Sequence, residues 1–170
     1  MKSSRGKNGL VPLSIATPDG EFVASYSEAG LAGLDFPRTA RAISSNAAAR
    51  AQIREWHRIV AAALHRALAG REPGALPPLD LSSGTAFQRS VWQAMRQIAC
   101  GQTRSYGEVA LMIGKPKALR AVGGACGANP IPVLVPCHRV LAANKRIGGF
   151  SGGLNWKRTL LGREGIVLKD

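Results

Sequence analysis

The sequence predicts a mixed α/β (α+β) protein: a small sheet-plus-helix unit, then a mostly helical unit with a helix-turn-helix of winged-helix-like outline. Three observations predict it. Short apolar runs broken by turn residues fill residues 11–36, one long amphipathic stretch follows, and two capping-box signatures open helices after a proline-rich break.

Residues 1–9 are basic and polar and read as a frayed tail. Val11–Ile15, Glu21–Tyr26 and Gly30–Phe36 alternate with turn signals, which predicts a small antiparallel sheet with a hairpin at Pro18-Asp19-Gly20. Over residues 46–69, Ile53, Trp56, Val60, Leu64, Ala67 and Leu68 recur at steps of three and four and share one helical face, with Gly70 as the stop. These elements make an N-terminal unit of 10–72. Residues 73–84, with Pro73, Gly74, Pro77 and Pro78, are expected to be an irregular linker, and 85–170 the second unit.

In that second unit Thr85-x-x-Gln88 caps a helix running to about Ala99, with Phe87, Val91, Met95 and Ile98 on one face. Ser105-x-x-Glu108 caps a short helix ending near Gly114. Pro116 stands where the next helix would begin, and Lys117–Cys126 would be that helix. Its Ala118, Ala121, Gly123, Gly124 and Ala125 leave it nearly bare, so either another helix or the walls of a nucleic-acid groove must approach closely. Ile131–Val135, apolar and flanked by prolines, is expected to be a short buried extended piece.

Composition narrows the function. No run approaches the ~20 apolar residues of a membrane span, and no secretory signal opens the chain, so a cytoplasmic protein is expected. Three cysteines at 100, 126 and 137, with no Cys-x-x-Cys, make neither a disulfide framework nor a zinc site. The formal charge is +13. From Thr85 onward 13 lysines and arginines face 3 acids, a net of +10, whereas the residues before Thr85 carry 10 against 7, a net of +3. A basic half-chain suits either a polyanion partner or a merely solvated surface.

Cys137 is followed by His138 and Arg139. By residue chemistry it is either a small buried cysteine beside a surface His-Arg pair, or a thiol whose pKa an imidazole and a guanidinium lower. Tyr106 could likewise be an ordinary residue at a helix start, Asn129 a turn former before proline, and Glu164 the end of the last helix before Gly165.

Pro136-Cys137-His138-Arg139-Val140 resembles the active-site signature of the O6-alkylguanine-DNA alkyltransferase family. The resemblance extends through Arg104-Ser105-Tyr106-Gly107-Glu108, Lys117 to Gly124 with Arg120 inside, Asn129-Pro130, Gly149 to Gly153, and Glu164-Gly165. It covers nearly all of 85–165, and the N-terminal half only in outline.

The resemblance implies direct-reversal DNA repair by a methylated-DNA–protein-cysteine S-methyltransferase. The alkyl group of O6-alkylguanine, and of O4-alkylthymine as a second candidate, would pass irreversibly to Cys137 in one turnover. His138 would take the thiol proton through a water, Glu164 would hold the imidazole, and Asn129 would fix the preceding turn. Tyr106 would protonate guanine N3. Backbone at Cys137 and Val140 would read the exocyclic amine, the Ser151 amide would meet O6, and Pro132 and Phe150 would wall the base. Arg120 would fill the gap left by a flipped base, with Tyr106, Gly107, Lys115 and Lys117 on phosphates in the minor groove. The implied protein is a nucleoid-associated monomer on double-stranded DNA, with no cofactor, metal or membrane. Phe150 stands where tyrosine is common in the family, which removes a hydroxyl from the pocket.

Overall fold

A computed structural model describes residues 9–38 and 49–169. Residues 1–8 of the expected tail and 46–48 of the expected first helix lie outside them.

Strands β1 (Val11–Thr17), β2 (Gly20–Ser27) and β3 (Gly30–Asp35) form an antiparallel sheet in the order β1-β2-β3. The Pro18-Asp19 turn makes the first hairpin as the sequence predicts, with Thr17 opposite Gly20. Gly20 holds φ at +115°, a conformation that favours glycine. Helix α1 (Ala51–Leu68) lays Ile53, Val60, Leu64 and Leu68 in the core. The proline-rich stretch is irregular, as expected, but it is docked on the sheet. Leu31 N–H donates to Pro78 O at 2.9 Å and Asp80 N–H to Leu31 O at 2.7 Å, extending the β3 edge.

Helix α2 (Ala86–Met95) begins with the complete Thr85/Gln88 capping box. It stops four residues before the expected Ala99, its last turns tightening into bonds such as Ile98 N–H to Met95 O. Helix α3 (Tyr106–Met112) carries the complete Ser105/Glu108 box and closes at Gly114, whose φ is +70°. Each cap is worth about 1 kcal/mol. Helix α4 (Leu119–Gly127) starts two residues later than predicted. Pro116 lies in the preceding turn, which Ala118 N–H closes on Lys115 O. Helix α5 (Leu154–Arg163) ends on Glu164 as its C-cap. Two two-residue strands, β4 (Arg104–Ser105) and β5 (Val140–Leu141), pair in parallel and were not foreseen.

The expected extended piece at Ile131–Val135 is a buried turn instead. Val135 N–H donates to Ile131 O at 2.9 Å, and Val133 sits at φ +73°. A β-branched residue is strained there. The turn is imposed by Asn129, whose side chain accepts from Ile131 N–H at 3.0 Å and donates to Val135 O at 2.8 Å. A single cluster of buried side chains runs from Ile15 and Phe22 in the sheet through Trp92 and Met95 to Val140 and Leu160.

Candidate active site

The Asn129 turn delivers the chain into a 3-10 turn, Cys137–Arg139, packed against α2 and α5. Consecutive side chains of such a turn diverge by a third of a revolution, so Cys137, His138 and Arg139 face different partners.

His138 is 1% exposed, and its Nε2 lies 2.8 Å from Glu164 Oε1. Burial pushes the Glu164 pKa up, but hydrogen bonds and charges from His138 and Arg139 win and hold it at about 2. An ionised carboxylate only accepts, so Nε2 carries the imidazole proton. Nδ1 is then a bare lone pair, buried and without a hydrogen-bond partner among the described residues. Burial lowers the His138 pKa against the opposing pull of Glu164. The ring rests neutral, with its basic nitrogen unengaged.

Arg139 is buried as well and does not serve the thiol. Its Nε and Nη2 hold Glu164 at 3.0 Å, and Nη1 donates to Ile98 O at 2.6 Å. The guanidinium is thus committed to fixing Glu164.

Cys137 is 4% exposed. Of the two alternatives the sequence left open, the lowered pKa is not met, and the cysteine is buried but its His-Arg neighbours are buried too. Burial pushes the thiol up to about 11, against the Asn129 side chain, the Lys157 ammonium and the backbone amides of Cys137 and His138. Desolvation of a thiolate outweighs these partners, and sequence adjacency to His138 and Arg139 brings it neither of their charges.

Lys157 was missed by the sequence reading. It is fully buried on α5, with Nζ donating to Val140 O at 2.8 Å and Gly149 O at 3.0 Å. Burial pushes its pKa down to about 8, while Cys137 and Cys126 pull it back up. Its place three and four positions before Leu160 and Leu161, on the apolar face of α5, was the available signal. Cys126, buried on α4 against Met95, is pushed up to about 12 by burial and by Cys137.

Tyr106 stands at the start of α3, half-buried between α4 and the 146–153 loop. A Cβ on Gly148 would lie 2.8 Å from its Oη, and one on Gly123 4.0 Å from its ring. Burial raises the phenol pKa, and the thiols of Cys126 and Cys137 raise it further. Tyr106, Cys137 and Lys157 therefore share one electrostatic neighbourhood.

The structure thus gathers Cys137, His138, Asn129, Glu164 and Tyr106. Of the expected pocket residues, Pro132 is buried in the Asn129 turn, Val140 spends one carbonyl lone pair on Lys157, Phe150 is half-buried and Ser151 exposed. Gly107 is half-buried at the start of α3, whereas Lys115, Lys117 and Arg120 stand on the exposed α3–α4 surface. Arg120 makes no ion pair among the described residues.

The bare face of α4 also finds its explanation. Nothing lies within 4 Å of a Cβ built on Gly124 or Gly127, so no helix covers them, while the opposite face is tied down by Trp92 Nε1–H to Ala125 O at 2.8 Å. That leaves an open, side-chain-poor surface beside Arg120. Among the described residues no group of three or more His, Cys, Asp or Glu could hold a metal ion, and no helix is long and apolar enough to cross a membrane.

The fold thus joins a short helix pair, α3 and α4, with exposed Lys115, Lys117 and Arg120, to a buried turn in which Cys137 adjoins the His138–Glu164 pair. The model of the 6-O-methylguanine DNA methyltransferase DNA-binding domain matches residues 86–166. The methylated-DNA–protein-cysteine methyltransferase of Haemophilus influenzae is 55% identical over 87 residues, 51% of this chain and 49% of that protein. The bifunctional transcriptional activator/DNA repair enzyme Ada of Escherichia coli is 44% identical over 121 residues, 71% of this chain and 33% of that protein. The chain spans about half the length of the first curated relatives it matches. A crystal structure of Mycobacterium tuberculosis OGT in complex with DNA is 38% identical, covers 89% of this chain and 90% of its own, and superposes with a TM-score of 0.71. The chain belongs to the O6-alkylguanine-DNA alkyltransferase, or methylated-DNA–protein-cysteine methyltransferase, family.

Proposed function

We propose that this protein repairs DNA by direct reversal, taking the alkyl group of O6-alkylguanine onto Cys137 in one irreversible turnover. The observation that carries the reading is the fixed His138–Glu164 pair, which leaves Nδ1 as a buried, unengaged base one residue from the only cysteine it could serve in that turn.

The Cys137 thiol gives its proton to His138 Nδ1 through a water. The thiolate attacks the alkyl carbon, an S–C bond forms, the C–O6 bond breaks, and its electron pair moves into the purine. Tyr106 donates its phenolic proton to N3, so guanine leaves neutral. Lys157 opposes the cost of the transient thiolate. Asn129 holds the turn that presents the sulfur. Pro132 and Phe150 wall the base, backbone at Cys137 and Val140 meets its exocyclic amine, and the Ser151 amide meets O6. No cofactor takes part.

A stacked guanine cannot reach a buried sulfur, so the base must flip, at a cost of a few kcal/mol. The open glycine face of α4 suits a narrow minor groove, with Arg120 filling the gap in the stack. Gly107, Lys115 and Lys117 contact phosphates, giving sequence-independent, salt-sensitive binding to double-stranded DNA. The protein acts as a monomer, in the cytoplasm, on the nucleoid.

Intact mass after incubation with O6-methylguanine duplex tests the reading. It requires a gain of one CH2 unit mapped to Cys137 and absent from Cys137→Ala. No gain, or repeated turnover, refutes it.

A further inference from the structure

The 146–153 loop that would form one wall of the base pocket has no regular structure, so its shape depends on what holds it. Tyr106 meets it at Gly148 and Lys157 at Gly149. The third contact comes from the N-terminal unit, just past the end of β3. The Phe36 ring lies edge-on to Phe150, centroids 5.8 Å apart at 74°, and a Cβ on Gly152 would fall 2.5 Å from Phe36 Cε2 and 2.9 Å from Phe150 Cε1. Phe36 therefore sits directly on the Gly152 backbone and packs edge-on against Phe150.

Phe36 is itself braced. Its ring is 4.9 Å from Trp156 of α5 and 5.5 Å from Phe22 of β2, and Phe22 and Trp156 meet edge to face at 5.6 Å. Two residues earlier on the same strand, Leu34 N–H donates to Pro130 O at 2.9 Å, at the head of the turn carrying Pro132. One strand end thus contacts both the Phe150 loop and the turn of Pro132, the two segments that the alkyl-transfer reading makes walls of the base pocket. Nothing in the alkyl-transfer chemistry uses these contacts.

We propose that the end of β3, through Phe36, sets the width of the alkyl pocket and so the size of the O6 substituent accepted. The inference rests on the alkyl-transfer reading above. Phe36 is a positioning residue: it acts through Phe150 and Gly152. Trimming it lets the Phe150 wall retreat, which favours bulky substituents and loosens the grip on small ones. The half-buried aromatic cluster has the stiffness for this, because rings packed edge to face resist small displacements.

The test compares single-turnover rates on duplexes carrying O6-methylguanine or O6-benzylguanine, using the full chain. Wild type, Phe36→Leu, Phe36→Ala and Ile53→Ala (a buried α1 residue, as the stability control) are measured beside their thermal melts. A substituent of several carbons in an apolar pocket is discriminated by tenfold or more, so Phe36→Ala should raise the benzyl-to-methyl rate ratio about tenfold. Phe36→Leu should raise it less, and Ile53→Ala should leave it at the wild-type value. A ratio in Phe36→Ala equal to that of wild type overturns the proposal. Should Phe36→Ala not fold, Gly152→Ala decides. Its new Cβ collides with Phe36 and presses on Phe150, so it should slow methyl transfer in wild type and be partly rescued in Phe36→Leu, which gives Phe150 room to yield, whereas additive losses overturn the proposal. If wild type itself transfers neither group, the parent reading fails before any variant is compared.

Discussion

Glu164 accepts from His138 and Arg139 and, more distantly, from Gly101 N–H at 3.3 Å. Glu164→Gln keeps the shape and removes the charge. The new amide must turn one NH2 toward either the imidazole N–H or the guanidinium, both donors, so one bond becomes a clash. Arg139, 4% exposed, is then a buried cation with no counter-ion. Breaking such a pair costs about 3–5 kcal/mol. Linkage gives a similar figure: a carboxyl at 4.5 unfolded and about 2 folded contributes about 3 kcal/mol at neutral pH. Because the folded value is the lower one, that contribution is complete above 4.5 and is lost as pH falls toward 2. A loss of about 3 kcal/mol lowers the melting temperature of a domain this size by about 6–12 °C.

The same substitution releases the His138 tautomer, and a positioned general base is worth about 10²–10⁴ in rate. Glu164→Gln should therefore slow alkyl transfer by about 10² or more, measured by single-turnover kinetics beside thermal melts. Adding Arg139→Met separates the two effects. With both charges gone the core should recover most of its stability, since apolar replacement of a buried pair is often neutral. The rate should stay low, because the imidazole is still unheld. A double variant that regains speed along with stability would refute an orienting role for Glu164. A Glu164→Gln whose acid unfolding between pH 4.5 and 2 matches wild type would refute the electrostatic account.

Arg120→Ala should weaken repair of duplex DNA much more than reaction with free O6-benzylguanine, and equal losses on the two substrates would rule out a finger. Tyr106→Phe should slow transfer while leaving most DNA affinity intact in a binding titration; an unchanged rate removes it as proton donor. For Lys157, wild-type transfer should quicken with pH as the thiol ionises, then climb less steeply above about 8, where the ammonium loses its proton. Lys157→Met should be slower throughout and lack that break, and a break at the same pH in the variant would assign it to another group.

Features that depend on local sequence were legible. Thr85/Gln88, Ser105/Glu108 and the Pro18-Asp19-Gly20 turn satisfy themselves within four residues, so the pattern is the structure. The Cys137-His138 string and Glu164 were legible as a resemblance, and their hydrogen bond is present. What failed to show depends on contacts across the chain. β4 and β5 are two residues each, too short for any periodicity, and exist because Arg104 and Val140 are brought together by the packing of α3. Val133 enters a left-handed conformation only because Asn129 bridges the turn around it. Arg139 reads as a surface charge until Glu164, 25 residues on, folds over it. Lys157 reads as a solvated lysine until two carbonyls are placed at its tip.

The raised thiol pKa bears on how such a nucleophile works. At pH 7, a thiol at about 11 is almost wholly protonated, and ionising it costs about 5 kcal/mol. The cost arises because the sulfur, 4% exposed, has little bulk solvent to stabilise its charge. A general base worth 10²–10⁴ offsets about 3–5 kcal/mol of that amount. In the proposed reaction that assigns His138 to the attack and Glu164 to holding His138. If Cys137 is consumed by one reaction, as proposed above, the resting protonated state has a further consequence. Stray electrophiles and oxidants attack thiolates, so a sulfur kept neutral and buried is spared for the proposed reaction, in which the alkyl carbon is brought to the sulfur as the imidazole takes its proton.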